Sequence, residues 1–143
     1  MGSTVYKNMF PLAEDTTTEY RLITSDHVSA AEFDGETIVK IAPEALARLA
    51  AEALSDTQHL LRSSHLERLR AILDDDEASD NDHFVAMELL KNAAIAAGGV
   101  LPMCQDTGTA IVMGKKGNCV WTEGDDEAAL CRGIEKAYEE TNL

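Results

Sequence analysis

Between Pro43 and Leu61 apolar side chains return every three or four residues, at Leu46, Leu49, Ala50, Ala53, Leu54 and Leu61. That spacing lays them along one face of an α-helix, with Pro43 in the first turn, where its missing N–H costs nothing. The same period returns at Leu66, Leu69, Ile72 and Leu73 behind a Ser64-x-x-Glu67 capping box, and at Phe84, Met87, Leu90 and Ala94 behind candidate caps at Ser79 to Asp82. Like charges from Asp74 to Glu77 end the second of these helices, and Gly98-Gly99 ends the third. A last helix opens on Asp125-Asp126-Glu127 and carries Leu130, Ile134, Ala137 and Tyr138.

Two pairs of short β-branched runs lie outside these helices. Tyr20–Thr24 and Thr37–Ile41 flank an Asp34-Gly35 turn, and Thr109–Met113 and Asn118–Thr122 flank Gly114-Lys115-Lys116-Gly117. Each pair is expected to form an antiparallel hairpin. Residues 1–19 have no apolar period and read as an irregular lead-in. The fold class is therefore α+β, mainly helical with two short β-hairpins, in one unit covering 1–143.

Composition narrows the partners. Twenty-six acidic residues against 12 Lys plus Arg leave a net charge of −14, which repels nucleic acid and acidic membrane surfaces. No apolar run approaches a bilayer span, and Met1 to Leu12 has neither a signal nor a transit-peptide pattern, so a cytoplasmic location is expected. Three cysteines without an export signal are expected to be reduced thiols.

The chemistry concentrates in Leu101-Pro102-Met103-Cys104-Gln105-Asp106-Thr107-Gly108. Pro102 keeps the backbone out of helix just before a thiol, an amide, a carboxylate and a hydroxyl. Cys104 is the candidate metal ligand, Gln105 an orienting amide and Asp106 a proton-transfer carboxylate. A turn whose Asp106 and Thr107 only cap a strand entrance reads equally well from these residues alone. Cys119 and Cys131 have neither zinc nor ferredoxin spacing from Cys104 and are expected to be structural; His27, His59, His65 and His83 are scattered, with surface or capping roles expected. Gly114–Gly117 lacks the context of a phosphate loop, and Asp74–Glu77 has no EF-hand register.

The run from Val100 to Gly117 resembles the first cluster-ligand region of the class I, iron–sulfur-dependent fumarate hydratases. Leu22–Val28, Ala42–Leu46 and Val120–Leu130 resemble the amino-terminal region of the long single-chain form. The Cys-Gln-Asp-Thr-Gly core is shared with tartrate dehydratases, while Ile23–Val28 and Ala42–Leu46 look more like fumarase.

The resemblance implies a 4Fe–4S cluster held by three cysteines with one iron open to substrate, interconverting fumarate and (S)-malate. By position Cys104 matches the first cluster ligand, Gln105 a substrate-contacting amide, and Asp106 a catalytic and substrate-binding carboxylate. It further implies that two more ligands and the cations for a dicarboxylate come from a longer chain, since Cys119 and Cys131 do not match those positions. The expectation is an amino-terminal portion of such an enzyme, part of a larger cluster-binding domain, inactive alone, without a cluster when alone, and prone to dimerise through uncovered apolar faces. A tartrate dehydratase-like fragment, a non-enzymatic interaction module on this fold and a mononuclear metal site at Cys104 are the other readings.

Overall fold

A computed structural model of the chain describes residues 20–104 and 109–141. The elements run β1 (Val28–Phe33), β2 (Glu36–Ile41), α1 (Pro43–His59), α2 (Ser63–Ile72), α3 (Asp80–Ala96), β3 (Val120–Thr122) and α4 (Asp126–Thr141). The mixed, mainly helical α+β class is as expected. The lead-in before residue 20 lies outside the described residues.

The first hairpin forms at the expected turn but with a different partner. Asp34 and Gly35 both take positive φ, 51° and 83°, as a two-residue type I′ connection requires, and Phe33 pairs with Glu36. A turn this tight fixes the register, so β2 pairs with the residues directly before it, Val28–Phe33, and Tyr20–Thr24 stays outside the sheet. The second expected hairpin does not form. Val120–Thr122 instead lies parallel to β2, in register Val39↔Val120 to Ile41↔Thr122, giving the order β1-β2-β3. Its ends are tied by Val39 N–H to the Cys119 carbonyl at 2.8 Å and Glu123 N–H to the Ile41 carbonyl at 3.1 Å. Thr109–Met113 runs as irregular chain with Ile111 and Met113 exposed.

The helices begin and end largely where local chemistry dictates. Pro43 occupies the first turn of α1. Ser79 caps α3 in a reciprocal box with Asp82, and the Ser79 hydroxyl and amide hold the Asp82 carboxyl below its ordinary range. The box expected at Ser64 and Glu67 is absent: α2 starts two residues earlier behind Arg62, without a side-chain cap. Gly99, at φ 72°, turns the chain away from α3.

Packing pairs α1 with α4 and α2 with α3, with α1 also touching α3. The α1–α4 crossing is made by small residues: Ala47 and Ala50 on α1 meet Gly133, and Ala129 and Ala137 are buried on the same face of α4. At Gly133 the helices approach so closely that a Cβ would overlap the Ala47 carbonyl oxygen and sit 2.8 Å from the Ala50 Cβ. On α3 the buried line is Ala86, Ala93 and Ala96, while Phe84 and Met87, expected inside, are exposed together with Ile95. Alanine, Ile38 and Met103 make the core, and large apolar side chains remain at the surface. Among the described residues no helix is long and apolar enough to cross a membrane.

Candidate functional site

Cys104 sits in a turn with its side chain exposed, and both it and the residue before it are anchored through their amides. Met103 N–H donates to the Gln58 carbonyl at the end of α1, 2.8 Å away, and Cys104 N–H donates to Asn92 Oδ1 on α3, 3.2 Å away. The Met103 side chain is buried beside Leu61, Leu69 and Leu89. Pro102 carries no N–H to compete for these acceptors. A hydrophobic plug and two hydrogen bonds to different helices thus hold the backbone under the thiol, while the thiol stays free to bind.

Cys104 lies on a groove of about 1020 Å³ walled by α1, α4 and residues 109–114, with Leu49, Leu54, Gln58, Ile134 and Tyr138 among its lining. No described lining residue is charged. The Gln58 side-chain oxygen is buried there without a hydrogen-bond partner among the described residues, an unusual condition for a carbonyl. Gln105 and Asp106, the two other candidate site residues, lie outside the described residues, as do Thr107 and Gly108.

The remaining sequence candidates separate from this groove. Cys119, in the turn before β3, and Cys131, on α4, are exposed rather than structural core thiols. His59 is buried in the last turn of α1 with its Nδ1 2.8 Å from the Ser55 carbonyl, the capping role rather than the surface one of the two expected. Among the described residues no three His, Cys, Asp or Glu side chains converge to hold a metal. A complete metal centre is therefore not built from them; one exposed, backbone-anchored thiol fits a single corner of a thiolate-held cluster.

Lys116, in the Gly114–Gly117 segment, is committed elsewhere. Its ammonium reaches Thr122 Oγ1 at 2.9 Å and Asp126 Oδ2 at 2.8 Å, tying this segment to the start of α4. The Lys116 ammonium, with Thr122 second, holds the Asp126 carboxyl below its ordinary value of 3.8. The carboxyl is thus more acidic folded than unfolded, so its contribution is present above that ordinary value and is lost as pH falls through the lowered one. Asp126→Asn is expected to lower the urea midpoint slightly at pH 7 and to leave it unchanged near pH 2. An equal loss at both pH values would show that ionisation of Asp126 is irrelevant.

An exposed thiol on the rim of a groove with no charge among its described lining residues, carried by a small α+β unit, marks the candidate site. Residues 47–143 match the family model for fumarate hydratase (Fumerase). The chain is 55% identical over 139 residues to the anaerobic class I fumarate hydratase of Escherichia coli K12, covering 97% of this chain and 25% of that protein. It is 56% identical over 138 residues to the aerobic class I enzyme of Salmonella typhimurium, covering 96% of this chain and 24% of the relative. Fumarate hydratase 2 of Leishmania major is 55% identical over 117 residues, covering 82% and 21%.

The chain belongs to the fumarate hydratase family. It spans about a quarter of the length of these class I relatives.

Proposed function

We propose that this chain works as the amino-terminal portion of a class I hydro-lyase that interconverts fumarate and (S)-malate, supplying one cluster ligand and part of the substrate pocket. The observation that carries this reading is the anchored, outward-facing Cys104 on an uncharged groove, in a chain of this family. Cys104 would donate its thiolate to a 4Fe–4S cluster whose other two thiolates come from further polypeptide. When bound, such a cluster supplies a Lewis-acidic iron toward the hydroxyl and a carboxylate of malate.

The chain's own part is positional and acid–base. Gln105 orients the substrate through its amide, and Asp106 holds or moves the proton at the carbon adjacent to the hydroxyl. Since no charged group among the described residues lines the groove, the cations that balance a dianion come from further polypeptide too. Alone, the chain is inactive. Exposed Phe84, Ile95, Ile111 and Met113 support association with more polypeptide or with a second copy, and a homodimer in the cytoplasm is the assembly we infer for the longer enzyme.

The experiment is a replacement. The matching quarter of the anaerobic E. coli enzyme is exchanged for this chain, and fumarate hydration and iron content are measured under anaerobic conditions. Activity within about tenfold of the parent is expected in the chimera, a loss of no more than about 1.4 kcal/mol in transition-state stabilisation, with none in the isolated chain. A folded chimera that holds iron but hydrates nothing would overturn the reading. Selective turnover of tartrate by that chimera would shift it to the related dehydratase.

A further inference from the structure

Asn92 lies in the last turns of α3, after Lys91, two and three residues from Leu90 and Leu89 and next to the buried Ala93. Its Oδ1 accepts the Cys104 N–H at 3.2 Å, a bond that reaches 12 residues along the chain and spans the whole Gly98–Met103 excursion. Because a backbone N–H can only donate, the amide's oxygen must be the atom facing Cys104.

Cys104 belongs to no helix or strand, and among the described residues Asn92 Oδ1 is the acceptor that satisfies its N–H. The Met103 bond to the Gln58 carbonyl fixes the residue before, not the plane that carries the thiol. The Asn92 bond closes that remaining freedom. A neutral amide also does this without adding another carboxylate to a chain that already carries −14.

We propose that Asn92 is the positioning residue for Cys104: its side-chain carbonyl sets the backbone that aims the thiol at the groove. This rests on the reading of Cys104 as a ligand-bearing residue, but the hydrogen bond and its test require no metal. Asn92 touches neither substrate nor cofactor in this role; it acts through the Cys104 backbone.

The test uses the 143-residue chain, amide hydrogen exchange followed by NMR, and iodoacetamide alkylation of each cysteine followed by mass spectrometry. In Asn92→Leu, which keeps the size and removes the acceptor, Cys104 N–H exchange is expected to rise roughly fivefold or more, the loss of one hydrogen bond. The Cys104 alkylation rate should change with it, while Cys119 and Cys131 stay at their original rates. Asn92→Asp, which restores an acceptor oxygen, should return exchange close to the original rate. Asn92→Ala serves if the leucine variant fails to fold.

Unchanged Cys104 exchange on removal of the acceptor overturns the proposal. So does a uniform rise over Cys104, Met103 and the α3 amides, which would make Asn92 a support for the helix instead. Iron content plays no part in these readouts, so failure of the cluster reading and failure of this one appear in different measurements.

Discussion

Gly133→Ala is expected to destabilise the protein by about 2 kcal/mol or more, although alanine is the better helix former. In an isolated helix the change would gain roughly 1 kcal/mol, because glycine loses more backbone freedom on folding. Here the added methyl has nowhere to go. It overlaps the Ala47 carbonyl oxygen and lies 2.8 Å from the Ala50 Cβ, and both belong to α1, where no flexible side chain can swing aside. The helices must separate, and separation uncovers Ala50, Ala129 and Ala137 along the crossing. Overpacking of a tight core costs roughly 1–3 kcal/mol, and a backbone collision belongs at or beyond the top of that range. Urea unfolding monitored by circular dichroism reads the difference, with Cys131→Ala, exposed on the same helix, as the neutral control. A Gly133→Ala protein as stable as the parent would show that α1 and α4 do not cross as described.

Cys104→Ser in the chimeric hydro-lyase should abolish cluster retention and lower fumarate hydration by more than the roughly 100-fold that a change in the outer shell of a metal site produces. Serine keeps the shape, so Met103 and Asn92 can still hold the turn, but a hydroxyl does not ionise at neutral pH and binds iron weakly. The loss therefore isolates the sulfur from the backbone that carries it. Cys119→Ser and Cys131→Ser are the matched controls: both thiols are exposed and neither lines the groove, so iron content and turnover should stay at the parent level. Retention of visible iron–sulfur absorbance in Cys104→Ser, or its loss in either control, would move the ligand assignment off Cys104.

Legibility followed sequence distance. Asp34-Gly35, Pro43, the Ser79–Asp82 box and the acidic start of α4 act within a few residues of themselves, and each lies where its local chemistry places it. The parallel β2–β3 pair is non-local: Val120 joins Val39 only after three helices intervene, and a three-residue strand carries no alternation to announce its partner. The four residues Gly114-Lys115-Lys116-Gly117 read as a hairpin loop until Lys116 is seen to bond Asp126.

Gly133 shows the limit differently. In sequence it weakens a helix, while in three dimensions it permits α1 and α4 to meet backbone to backbone. The α3 stripe was misphased because Phe84 and Met87 outweigh alanine in any apolar pattern, yet alanines make the contact and the larger residues face outward. At the candidate site, Cys104 stood out through Pro102 and its polar neighbours. Asn92 did not, since a single amide beside Lys91 on a helix looks solvated until the chain folds back on it.

The alanine-built interior has a thermal corollary. Alanine has no rotamers to freeze, so joining these helices sacrifices little side-chain entropy, but each methyl also shields little surface from solvent. Heat capacity of unfolding scales with the apolar surface released, so this molecule should have a shallow, broad temperature profile rather than a sharp melt. Stiffness would then come from how near its helices lie, and robustness from whatever later covers its outward-facing aromatic and aliphatic groups.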